Sequence, residues 1–115
     1  MKKLSEGIAS GNNMYTSYKL DAKRRGFEFS ISREYFFEIT KLDCHYCGAK
    51  PSPFAMQGKY NGPYIGNGID RQNSSLGYIV GNCLACCKHC NRAKMDRSYE
   101  DFMDWIQLII RYNNK

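Results

Sequence analysis

Cys44-His45-Tyr46-Cys47-Gly48 places two thiols two residues apart, followed by a glycine where the chain needs a tight turn. This is the form of a knuckle that grips one metal ion from adjacent sides. Its partner lies downstream in Cys83-Leu84-Ala85-Cys86-Cys87-Lys88-His89-Cys90, which offers the same spacing twice, as Cys83 with Cys86 or as Cys87 with Cys90. Spacing alone does not choose between them. Two such pairs of thiols form a far stronger zinc signal than one pair alone. The 39 residues between Cys47 and Cys87 exceed zinc-ribbon spacing, so something folded is expected between them. The chain's two histidines, His45 and His89, each lie inside a knuckle. They are expected to face solvent, with zinc ligation in place of a cysteine as the alternative, and either way no free histidine is left for acid-base work.

Around these knuckles the chain is small. Its 115 residues (13.3 kDa, 43% hydrophobic and 24% charged) fit one domain spanning 1–115. No apolar run approaches the roughly 20 residues of a membrane span, so no membrane partner is expected. Lys2 and Lys3 precede no apolar segment of the kind that makes a secretory signal, so a cytoplasmic location is expected. In that reducing compartment six cysteines read as metal ligands or buried thiols rather than disulfides. A structural zinc would also supply folding energy that a core this small supplies poorly.

The net charge of +6 is unevenly spread: residues 1–25 carry +4, residues 88–97 carry +3, residues 26–87 balance, and the tail from 98 carries −1. Basic clusters of this kind suit a nucleic-acid partner. In the leader, 1–43, Asn12 or Asn13 can cap a helix over about 14–25 that Gly26 ends. Lys19, Lys23, Arg24 and Arg25 of this helix are candidate phosphate contacts. Phe27, Phe29 and Ile31 alternate as in a short strand or extended connection. Ser32 then caps a second helix whose Tyr35, Phe36 and Ile39 supply a core face. Residues 51–68, rich in proline and glycine, read as a long irregular loop in which Tyr60 and Tyr64 could stack on bases or pack the loop down. Ser98 caps a last helix, 99–111, whose apolar residues are expected to pack into the core.

Taken together, Cys44-x2-Cys47, Ile69-Asp70-Arg71, Gly77-Tyr78, Gly81-Asn82, Cys87-x2-Cys90-Asn91 and Ala93-Lys94 resemble the zinc-knuckle HNH endonucleases common in phages and mobile elements. The resemblance covers about residues 44–94. Tyr18-Lys19, Ala22-Lys23-Arg24-Arg25-Gly26 and Phe29 are similar to the basic leader of phage HNH proteins. It implies an α+β fold: a zinc-stabilised beta-beta-alpha metal unit over 44–97, flanked by the N-terminal helical leader and a C-terminal packing helix over 98–115. It also selects Cys44, Cys47, Cys87 and Cys90 as the zinc ligands, leaving Cys83 and Cys86 as buried thiols.

Carried over by position, the resemblance implies that Asp70 and Asn91 ligate a catalytic Mg or Mn ion and that Asn82 holds the catalytic loop. Magnesium takes oxygen ligands and keeps several waters, so two protein ligands could suffice. The departure is Arg71, which stands where the family has its general-base histidine. An arginine stays protonated and cannot accept a proton from water, although its fork suits phosphate. Arg71, Arg92 and Lys94 therefore join the expected phosphate contacts, with Tyr78 or the substrate phosphate as a substitute base. The expected function is a metal-dependent DNA endonuclease. The alternative is a catalytically inactive HNH-fold module that binds nucleic acid or a protein, such as a phage regulator or anti-defence protein. A phage-encoded chain would work in the cytoplasm of a bacterial host.

Overall fold

The computed structural model describes residues 7–54 and 62–114. Eight elements follow in chain order: α1 (Ile8–Arg25), α2 (Arg33–Thr40), β1 (Ser52–Phe54), β2 (Tyr64–Gly66), β3 (Gly68–Arg71), β4 (Cys83–Cys86), α3 (Lys88–Lys94) and α4 (Tyr99–Asn113). This is the α+β architecture expected, with β3, β4 and α3 forming the beta-beta-alpha unit. β3 and β4 are antiparallel, with Ile69 opposite Ala85 and Asp70 opposite Leu84. The chain passes from β4 into α3 through Cys87 alone, whose thiol caps the helix by accepting from the Cys90 N–H at 3.5 Å.

The two helices before this unit build its core. Met14, Tyr15 and Ala22 of α1 pack with Phe36 of α2, Ile31, Ile69 of β3 and Tyr78. Tyr15 meets Phe29 and Phe36 edge-on at centroid separations of 5.4 Å, a geometry that suits the ring quadrupoles. Phe27–Ser30 runs extended beside the β3–β4 connection: Tyr78 donates its N–H to the Glu28 carbonyl at 2.8 Å, and Ser30 donates to the Tyr78 carbonyl at 3.0 Å. Gly77 makes this approach feasible, because a Cβ there would lie 2.2 Å from the Glu28 carbonyl oxygen.

Several sequence expectations are corrected. α1 begins at Ile8, six residues before the anticipated start, with Gly7 as its N-cap in the left-handed conformation (φ 82°) instead of Asn12 or Asn13. The 51–68 segment is not wholly irregular: β1 and β2 pair within it, with Pro53 opposite Ile65. Tyr64 packs the segment down, buried, with its hydroxyl 2.7 Å from the Thr40 hydroxyl. Tyr60 lies outside the described residues. The largest correction concerns α4. Ser98 caps it as read, accepting from the Asp101 N–H, but only Phe102 is buried and every residue from Gln107 to Asn114 is exposed. It projects from the core instead of completing it.

Candidate metal and nucleic-acid site

The knuckle loop folds from local forces. Cys44 donates its N–H to the Ala49 carbonyl, Gly48 donates to the Cys44 carbonyl at φ 77°, and His45 donates to the Ala85 carbonyl, tying the loop to β4. Asn67, buried before β3, donates to the carbonyls of Leu42 and Ala49 and holds both ends of the loop. Facing it is the start of α3. The sulfurs of Cys44, Cys47, Cys87 and Cys90 lie within 4.8 Å of one another, and Cys47 and Cys87 stand 3.7 Å apart. A tetrahedral zinc with bonds of about 2.3 Å has ligand sulfurs separated by roughly 3.8 Å. These four cysteines can therefore hold a structural metal such as zinc. Burial pushes the Cys44 thiol up, but the backbone N–H groups of Cys87, Cys47 and Tyr46 outweigh it and bring the thiol down to about 7, toward the thiolate a metal needs.

Cys83 and Cys86 stand outside this group of four. Both are buried, and burial pushes the Cys83 thiol up to about 11 and Cys86 higher still. They behave as small apolar side chains. His45 and His89 are exposed, and His45 Nε2 stands 3.1 Å from the Tyr99 hydroxyl, where α4 begins.

Beside β3 a cavity of about 480 Å³ collects residues from four parts of the chain. β3 supplies Asp70 and Arg71, α3 supplies Asn91, and α1 contributes Tyr18, Asp21 and Arg25, with Tyr78 completing the wall. Asp70 is 5% exposed and held from both sides. The Tyr46 hydroxyl donates to Oδ2 at 2.6 Å, and Lys94 Nζ lies 3.1 Å from Oδ1 while also donating to the Arg71 carbonyl. Burial, followed by the hydrogen bond to Asp70, pushes the Tyr46 hydroxyl well above the usual tyrosine range, so it remains a donor.

Asn82 is buried and closes the loop between β3 and β4. Its Oδ1 accepts from the Asn73 N–H at 2.8 Å, and its Nδ2 donates to the carbonyls of Asn73 and Gly77. Arg71, 8% exposed, braces the same loop: Nη1 donates to the carbonyls of Ser74 and Leu76, and the guanidinium lies 3.7 Å from the centre of the Phe27 ring. Nη1 of Arg71 thus serves the turn, while Arg71 still lines the cavity. The expectation of Lys94 as a phosphate contact is corrected. At 0% exposure its ammonium neutralises Asp70 and is withdrawn from the surface.

Lys19, Lys23, Arg24, Arg25 and Arg92 are exposed. Arg24 and Arg25 both pair with Asp21, Arg25 at 3.4 Å. Arg25 borders the cavity, so α1 delivers positive charge to the edge of the same site as Asp70 and Asn91. Sequence reading missed Tyr46, hidden between two zinc-ligand candidates, and Asp21, hidden in a basic run. The spacing of Tyr18, Asp21 and Arg25 by three and four residues puts them on one helix face, a signal that could have drawn them together.

No family model matches the sequence. Over 101 residues the chain is 32% identical to an uncharacterized protein of Acanthamoeba polyphaga mimivirus; the match takes in 88% of this chain and 17% of that protein, so the chain spans about one-sixth of its relative's length. Among solved structures the chain is similar to the rare-cutting HNH restriction endonuclease PacI, whose structure is described for its mechanism of DNA perturbation. The TM-score is 0.64 at 20% identity, covering 89% of this chain and 78% of that one. The fold is therefore that of an HNH endonuclease, with a four-cysteine cluster beside its beta-beta-alpha unit.

Proposed function

We propose that the chain is a metal-dependent DNA endonuclease, with zinc in its four-cysteine site and Mg or Mn held by Asp70 and Asn91. The observation that carries this reading is the convergence of Asp70 from β3 and Asn91 from α3 on one cavity bordered by Arg25. A divalent ion there would stabilise the charge that develops as a phosphodiester breaks and would lower the pKa of an attacking water. The chain's own residues do the rest. Tyr46 and Lys94 orient Asp70, Asn82 and Arg71 hold the loop after β3, and Lys19, Lys23, Arg24, Arg25 and Arg92 attract the phosphate backbone, giving affinity that falls steeply with salt. Asp21 lines the cavity and is the candidate to accept a proton in place of the family histidine, whereas burial pushes the Tyr78 hydroxyl up and keeps it a donor.

One observation favours a second reading, a DNA-binding module without catalysis. Both carboxylate oxygens of Asp70 are already engaged, one of them by an ammonium group. A single experiment separates the two: incubation of supercoiled plasmid with zinc-loaded protein and Mg or Mn, beside Asp70→Ala and Asn91→Ala. The nuclease reading expects nicking by the wild type and a loss of roughly 100-fold or more in each variant. Salt-sensitive DNA binding by an inert wild type would establish the second reading instead.

A further inference from the structure

α4 carries an apolar surface that the described residues leave largely uncovered, although the Arg97 guanidinium lies 4.6 Å from the centre of the Trp105 ring. Only Phe102 is buried, while Trp105, Leu108 and Ile109 are 42%, 59% and 43% exposed. At 100° per residue these three share an arc of about 100°, with Ile106 and Ile110 on the far side of Phe102. The remaining polar stripe is Glu100, Asp104, Gln107 and Arg111. Its mixed and mostly acidic charge does not suit the phosphates of DNA. It also lacks the Lys and Arg excess of helices that lie on membranes. The surface therefore asks for a protein partner, and the order of its charges identifies one. Acidic Glu100, Asp101 and Asp104 occupy the first half of α4 and Arg111 the second, so the helix is complementary to itself run backwards.

We propose that α4 pairs antiparallel with α4 of a second copy of this chain. In heptad terms Trp105 and Leu108 take the two inward positions, so a two-fold axis between them sets Trp105 of each copy against Leu108 of the other. That register also brings Asp104 beside Arg111 of the other copy, twice, because both residues lie on the same flank of the apolar stripe. The bodies of the two copies then stand at opposite ends of the pair, because each docks through Tyr99 and Phe102 at the start of its helix. One two-helix seam lies at the small end of specific interfaces, which places the dissociation constant on the order of micromolar.

Sedimentation equilibrium of the zinc-loaded chain across that range tests the proposal. The wild type is expected to pass from monomer to dimer with concentration, and Leu108→Lys to remain monomeric with unchanged helicity and zinc content. Asp104→Arg and Arg111→Asp are each expected to weaken the dimer roughly tenfold, and the double variant to restore it. A wild type that stays monomeric well above micromolar concentration overturns the proposal, as does a dimer indifferent to Leu108→Lys. A dimer that the double variant fails to restore overturns the antiparallel register.

Discussion

Asp70 is the residue on which the proposed chemistry and the stability of the interior meet. A buried carboxylate is tolerated only when its charge is answered, and here Lys94 answers it through one oxygen and Tyr46 through the other. The two partners differ in weight. Removing one member of a buried ion pair leaves the other charge uncompensated, so Lys94→Met is expected to lower stability by about 3 kcal/mol. Tyr46→Phe removes one hydrogen bond to a charged group and is expected to cost about 2 kcal/mol. Urea unfolding of the zinc-loaded variants measures both. Asp70 was legible in the sequence as a candidate ligand because it stands in a motif. Its dependence on Lys94 was not, because the two are 24 positions apart. A lysine in a basic segment reads as surface until the fold shows it fully buried.

The loop between β3 and β4 is braced at both ends by side chains, with Asn82 from below and Arg71 against the Phe27 ring. Its third support is backbone, the docking of Phe27–Ser30 at Gly77. Gly77→Ala places a methyl group against the Glu28 carbonyl and must push the two segments apart. It is expected to destabilise the protein by about 2 kcal/mol or more, and to raise hydrogen exchange at the Tyr78 and Ser30 amides, which NMR can follow. Elements with a side-chain signal were readable in advance. Ser32 and Ser98 both cap helices by accepting from the residue three positions on. The start of α1 was not readable, since its cap is Gly7, with no side chain to announce it. β1 and β2 escaped because each has only three residues, too few for alternation to stand out. The apolar pattern of α4 was read correctly, but periodicity tells how a helix is sided and not what covers that side.

At the scale of the molecule, the four-cysteine cluster joins the knuckle loop to α3 across the end of the β3–β4 hairpin. Tyr46 within the knuckle reaches both Asp70 and the Phe102 ring of α4, the latter at 5.1 Å between centroids. Loss of metal is therefore expected to loosen the cavity and the root of α4 together. Chelation should lower the melting temperature and release α4 from Tyr46, both visible by circular dichroism and tyrosine fluorescence. Protons compete with metal for thiolates. Because burial holds the Cys90 thiol above its usual range while Cys44 is brought down to about 7, zinc affinity should fall steadily as pH is lowered and more steeply once Cys44 joins the competition.

The same cluster also sets the order in which the chain can assemble. Cys47 and Cys87 meet across 40 positions, a closure that costs chain entropy before any native contact rewards it. Cys44 with Cys47, and Cys87 with Cys90, each three positions apart, need almost no closure to hold an ion between them. Zinc present at the start of refolding would sit first on one of these local pairs and reduce the long closure to a search for two more sulfurs. The metal would then act as a nucleus for folding, and its concentration would govern the folding rate as well as the final stability.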